Sequence, residues 1–202
     1  YSALADGAAF AQGHFVSALG YGAFAQGWRN FAFQNGFAQG SENSANLGIA
    51  QGVGNWSDGG VAIGEANIAR NNSFAQGYHN SAFEDSIAQG SNNTAKNTSF
   101  AQGIRNSAYI AGFAQGEKSS AHNYSLAQGD RTNADSWSFA QGVVSRASEN
   151  SLSQGSNNSA TWYSLSQGHI NNANQDSLAQ GDGCSAGRDS LAQGHESSAN
   201  SF

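Results

Sequence analysis

A glycine recurs fifteen times at the fourth place of a short unit whose fullest form is Phe-Ala-Gln-Gly. With the large apolar residue of that unit as position one, coils begin at Phe10, Phe24, Phe37, Ile49, Val61, Phe74, Ile87, Phe100, Phe113, Leu126, Phe139, Leu152, Leu165, Leu178 and Leu191. From Val61 onward every step is thirteen residues, and the earlier steps are 14, 13, 12 and 12. Position two is Ala except at Ser153 and Ser166, and position three is Gln except at Ile63. Position nine is Ala except at Ser57, and position thirteen is Ser in most of the later coils. A period this short cannot hold the paired helices of ankyrin or tetratricopeptide units, and a leucine-rich unit needs about twenty residues or more. It does suit one flattened turn of chain with two short strands and two tight bends. The expected fold is therefore all-β, a β-solenoid or parallel β-roll of about fifteen coils of about 12–14 residues.

The charged residues support this assignment. Of 22 in the chain, none falls at positions one to four, nine or thirteen. An unpaired charge is costly to bury, so the excluded positions mark sheet and core. The variable positions, rich in Asn, Ser and Asp, read as turns. Residues 10–202 form the repeat domain, and residues 1–9 a lead in which Leu4–Gly7 reads as a degenerate copy of the unit.

Alternation along a strand places positions one and three on one face, and thirteen, two and four on the other. Packing of large against small favours position one pointing inward, opposite the Ala of position nine. The glutamines (Gln12, Gln26, Gln39, Gln51, Gln76, Gln89, Gln102, Gln115, Gln128, Gln141, Gln154, Gln167, Gln180 and Gln193) would then form an enclosed structural ladder of amides, each bonding to the next coil. The alternative is an interior of Ala, Ser and Gly alone, with the Phe/Gln row outward. That arrangement leaves an apolar stripe requiring a partner surface, such as sister chains around a symmetry axis.

Large apolar residues at fixed spacing argue against disorder despite the low charge content. A thinly spread net charge of −6 argues against nucleic-acid binding, and no apolar run is long enough for a membrane helix. The five histidines occupy several coil positions and read as solvated turn residues. His169 and His195 share position five but stand two coils apart, so no metal site is expected. The lone Cys184 is placed in a turn, leaving an inert thiol or an intermolecular bridge. No phosphate loop, calcium nonapeptide or carboxylate cluster is present, so no catalytic residue and no cofactor is expected, and the chain is not read as an enzyme. Six sequons, at Asn55, Asn71, Asn92, Asn97, Asn123 and Asn157, are candidates for glycosylation. Trp28, Trp56, Trp137, Trp162, Tyr78, Tyr109 and Tyr163 could stack on sugars or anchor a partner, but read as incidental turn aromatics without a common register.

The coil Val61–Ser73, VAIGEANIARNNS, with NSLSQG at Asn150–Gly155 and HESSANS at His195–Ser201, resembles a known repeat. It is similar to the YadA-type heads of trimeric autotransporter adhesins, whose unit is roughly N-S-V-A-I-G-x-x-S-x-A. The resemblance extends over nearly the whole chain, with Gln in place of the family's Ile in fourteen of fifteen coils. It implies a left-handed parallel β-roll, a trimer of rolls, an extracellular location on a bacterial surface, and adhesion to matrix proteins or cells.

The expected function is a non-enzymatic structural or adhesive β-solenoid, either an adhesin head or a subunit of a surface filament. Its partners would be copies of itself, as a trimer or a head-to-tail filament, and host matrix, cell-surface or glycan ligands. An ice-binding protein is the alternative, since flat solenoid faces can order water, although only four Thr are present. The repeat runs intact through Ala199 and the sequence stops at Phe202. A roll cut from a longer one, or end-to-end stacking of whole chains, is the expectation there.

Overall fold

Residues 2–200 are described in a computed structural model, and all regular structure among them is β-strand. The proposed end at Phe202 lies outside them. The chain forms two compact units, residues 1–98 and 99–202. Each is a parallel β-solenoid, together giving about fifteen turns of about thirteen residues. A coil contributes a five-residue strand at positions one to five, as in Phe100–Ile104, and a three-residue strand at positions eight to ten, as in Ser107–Tyr109. In the first unit the longer strands, Phe10–His14 to Ile87–Ser91, pair in order in one sheet. The shorter ones, Ala3–Asp6 to Thr94–Lys96, pair in the other. The second unit repeats the plan from Phe100–Ile104 to Leu191–His195, and from Ser107–Tyr109 to Ser198–Ala199. Equal coil positions pair throughout: Phe100 opposes Phe113, Gln102 opposes Gln115 and Gly103 opposes Gly116, with Ile63 between Gln51 and Gln76 as an exception in kind.

The lead is part of this lattice. Ala3–Asp6 pairs with Val16–Leu19, with Ala5 opposite Ala18. Leu4–Gly7 is thus not a copy of Phe-Ala-Gln-Gly, because its strand belongs to the position-nine sheet.

The interior corrects the favoured orientation. Position-two Ala and position-nine Ala are both fully buried, as at Ala101, Ala108 and Ala114. The Phe/Leu and Gln residues of positions one and three lie on the outer face, half-buried or exposed. The physical reason is the shortness of the turns. In most coils positions eleven and twelve both adopt left-handed backbone, as at Ile110 (φ 49°) and Ala111 (φ 54°). Such a turn folds the chain back too sharply to leave room for a phenyl ring between the sheets. Methyl, hydroxyl and amide groups fill the narrow gap instead.

Position seven supplies that amide. Asn30, Asn43, Asn55, Asn67, Asn80, Asn93, Asn106, Asn158 and Asn171 are almost completely buried. Asn80 shows the pattern. Its Nδ2 donates to the carbonyl of Gln76 (2.8 Å) in its own coil and to that of Gly90 (2.7 Å) in the next. Its Oδ1 accepts the backbone N–H of Asn93 at 3.0 Å. One side chain therefore satisfies three backbone groups that the sharp bend takes out of the ladder, which is what makes a buried amide tolerable. Ser119 and Ser145 fill equivalent slots, donating to the carbonyls of Gly129 and Gly155.

Two further positions close the coil. Position-thirteen serines donate to the position-nine carbonyl of the next coil, as Ser125 does to Ala134 and Ser151 to Ala160, both at 2.8 Å. The position-four glycine has φ near +118° in many coils, Gly103 among them. A Cβ there would also meet the carbonyl oxygen of the next coil's glycine. Both conformation and space demand glycine, which accounts for its presence in all fifteen coils.

Candidate interaction face

The outer face of the five-residue strands carries two parallel rows, one apolar and one of amides. Neighbouring phenyl rings in the apolar row stack nearly flat, at 4.9 Å between centroids for Phe10–Phe24, 4.8 Å for Phe24–Phe37 and 4.9 Å for Phe100–Phe113. Strand spacing sets this distance. Stacking shields the ring faces from water while the ring edges still point outward, so the row is half-buried without being internal. Where a neighbour is missing or smaller, exposure rises: Phe10 is 47% and Leu191 60% exposed.

The glutamines form the expected coil-to-coil ladder, but on this outer face. In the first unit Gln26 Nε2 donates to Gln12 Oε1 (2.8 Å), Gln39 to Gln26 (3.0 Å) and Gln51 to Gln39 (3.1 Å). Ile63 interrupts the row, and Gln89 to Gln76 (2.8 Å) resumes it. In the second unit it runs from Gln115 to Gln102 (2.9 Å) and onward to Gln193 to Gln180 (3.1 Å). All the bonds point the same way. Each rung uses one of an amide's two N–H groups and one of its two lone pairs. A partner surface therefore meets a regular line of oriented donors and acceptors beside a regular line of apolar side chains.

The other sheet offers nothing comparable. Its outward position eight is a row of mostly small polar residues, such as Ser81, Thr94, Ser107 and Ser120, broken by Phe31, Trp56, Ile68 and Arg146, while position ten mixes Asp58, Arg70, Phe83 and Lys96. The Arg70 guanidinium lies 3.7 Å over the Trp56 ring, which is local packing and not a repeated surface.

The remaining candidate residues are placed as follows. Asn55 is a buried rung of the position-seven ladder, with Nδ2 on the carbonyls of Gln51 (2.9 Å) and Gly64 (2.7 Å). A glycan there is incompatible with the folded coil. Asn71, Asn92, Asn97 and Asn157 are exposed and Asn123 half-buried, all in turns. Cys184 also departs from expectation. It occupies a position-seven slot and is buried, with Sγ 3.1 Å from the carbonyl oxygen of Gly194. That enclosure is incompatible with an intermolecular bridge in the folded coil.

His169 and His195 bracket Asp182 in the position-five row, at 3.0 Å and 3.9 Å, an exposed pairing that strand register creates from residues thirteen apart. Among the described residues no three His, Cys, Asp or Glu side chains come together as a metal site.

Some of the aromatic residues share a register, while Trp28, Trp56, Tyr78, Tyr109 and Trp162 stand at other positions. Tyr124, Trp137 and Tyr163 all occupy position twelve, and the Tyr124 and Trp137 rings stack at 4.5 Å. Position seven is the signal that sequence reading missed. Nine of its fifteen residues are Asn, a bias that looks like turn composition until the side chain is seen to point inward.

Comparison with family models and with curated proteins finds no match for this chain.

Proposed function

We propose that this chain is a non-enzymatic structural β-solenoid of the cell exterior that associates with copies of itself through the Phe/Leu and Gln face. The apolar row beside the amide ladder in each unit carries this reading. Soluble monomers rarely leave contiguous apolar patches beyond a few hundred Å² in water, and such patches are usually interaction sites. A second copy presents the same periodic rows, so apolar edges meet apolar edges and amides meet amides in one register. The resemblance to YadA-type heads makes three the expected number of chains and a bacterial surface the expected location, with a left-handed roll and an adhesive role. The ice-binding alternative needs a flat array of small polar groups. The face of the five-residue strands carries bulky Phe, Leu and Gln, whereas position eight of the other sheet is Ser, Thr or Asn in eleven of fifteen coils, with Phe31, Trp56, Ile68 and Arg146 breaking the row. Ice binding is therefore the second reading, and a thermal-hysteresis assay of the whole chain tests it.

Sedimentation equilibrium of the chain, compared with a Phe100→Ser, Phe113→Ser, Phe139→Ser triple variant, tests the proposal. The wild type should sediment as an oligomer and the variant as a smaller species with unchanged far-UV circular dichroism. A wild type with the mass of one chain at high concentration overturns it.

A further inference from the structure

Within the second unit the apolar row changes character. After Phe139 its members are Leu152, Leu165, Leu178 and Leu191, whose side chains are shorter, and the depression along them is shallow and open to solvent. A groove of about 850 Å³ follows them. Its floor is the leucines, and its wall is the position-twelve edge: Trp137, Asn150, Tyr163, Asp176 and Asp189. Each coil gives one wall residue and one floor residue. Beside the groove a smaller hollow of about 280 Å³ lies between Trp162, Tyr163, Gln175, Asp176 and Arg188. The aromatic rings at this edge are unusually open for their size, with Trp137 and Tyr163 each 64% exposed.

We infer that this groove binds a neutral, extended polysaccharide whose pyranose rings are joined through equatorial oxygens, laid along the solenoid axis at about one sugar per coil. Three features converge on that ligand. Pyranose rings present flat C–H faces that pack on Trp and Tyr, and hydroxyls around the rim that pair with carboxylates and amides. Asn150, Gln175, Asp176 and Asp189 supply the second chemistry beside Trp137 and Tyr163, which supply the first.

Periodicity is the second feature. Groove residues repeat at the strand spacing of about 4.8 Å, so the row from Phe139 to Leu191 runs about 19 Å. An extended equatorially linked chain advances by slightly more than one such spacing per sugar, so its repeat follows the wall over a few coils and drifts beyond them.

Charge is the third. Asp176 and Asp189 outnumber the neighbouring Arg188, a small net negative charge that mildly disfavours uronic-acid or sulfated glycans. A peptide is a poorer fit. Peptide capture by strand addition needs a free sheet edge, and the backbone groups bordering this groove already bond from coil to coil, as Leu165 N–H does to the Ser177 carbonyl at 2.9 Å.

The groove shares its leucine floor with the row proposed for self-association, so a glycan and a second copy compete for that stretch. Trp137 and Tyr163, by contrast, stand on the turn outside the glutamine row and separate the two readings in the test. Calorimetric titration of the whole chain with cellohexaose, xylohexaose and the hexamer of N-acetylglucosamine tests it, with a galacturonate hexamer as the charged control. At least one neutral hexamer should bind, its disaccharide should bind far more weakly, and the galacturonate should bind more weakly than that hexamer. Trp137→Ala and Tyr163→Ala should each weaken binding by about tenfold, leaving melting and sedimentation unchanged, while Trp28→Ala changes nothing. No binding by any neutral hexamer overturns the inference, as does binding that ignores both groove substitutions. Loss of oligomer in the Trp137 and Tyr163 variants without glycan binding would assign the groove to a second copy and overturn it equally.

Discussion

Replacing Gln102, Gln115 and Gln128 together by Glu puts three carboxylates on adjacent rungs of the ladder. Two donated bonds disappear, Gln115 to Gln102 (2.9 Å) and Gln128 to Gln115 (2.8 Å). At about 0.5–1.5 kcal/mol each, that is about 1–3 kcal/mol. The new charges form two neighbouring pairs about 4.8 Å apart. Each pair costs about 1 kcal/mol in water-like surroundings and about 3–4 kcal/mol at an effective dielectric constant of about 20. The row is half-buried and open to water on one side, so the lower range applies, and the whole change is about 3–5 kcal/mol near neutral pH.

The sign of the pH dependence follows from the repulsion, which raises the folded-state carboxyl pKa values above about 4.3. Between the unfolded and the raised folded values the folded chain binds more protons, so stability falls as pH rises through that window. The Coulomb part of the loss should be present at about pH 8, be recovered near about pH 3.5, and shrink in high salt. Circular dichroism melting of wild type and variant at both pH values reads this out. Equal melting temperatures at about pH 8 would show the amides to be fully solvated, and the ladder geometry would be refuted. A loss that persists unchanged at low pH would refute the electrostatic part alone.

Substitutions at four other positions probe the interior and the turns. Asn80→Ala leaves two carbonyls and the Asn93 N–H without their partner and should cost about 3–5 kcal/mol in denaturant melts. Asn80→Ser should recover part of that, because Ser119 and Ser145 already serve in this slot. Ser153 sits where most coils have Ala, and its buried hydroxyl has no hydrogen-bond partner among the described residues. Ser153→Ala should therefore stabilise by about 1 kcal/mol, whereas Ser166→Ala, which loses a 2.9 Å bond to the Asn171 carbonyl, should not. Val144 holds a β-branched side chain at φ 53°. Val144→Asn should raise the melting temperature, by about 1 kcal/mol of relieved strain.

The repeat itself determined the period, the parallel register and the need for glycine at position four. A thirteen-residue unit with one large apolar residue and one Gln can stack only like on like. The rung from Gln115 to Gln102 was legible for that reason before any coordinates. Alternation also showed that Phe113 and Gln115 share a face, because strand geometry forces it. It could not show which way that face turns, since an alternating strand reads the same from either side. Coil closure decided the question. With both turn residues in left-handed backbone the two sheets come too close for Phe113, and Ala114 goes inward. The same closure turned Asn80 from an apparent turn residue into the buried amide that bridges two coils. It also brought Trp137, Asn150 and Tyr163 from successive coils onto one edge. Sequence spacing carries register along the solenoid axis, but the direction of a side chain across that axis depends on how tightly each coil bends.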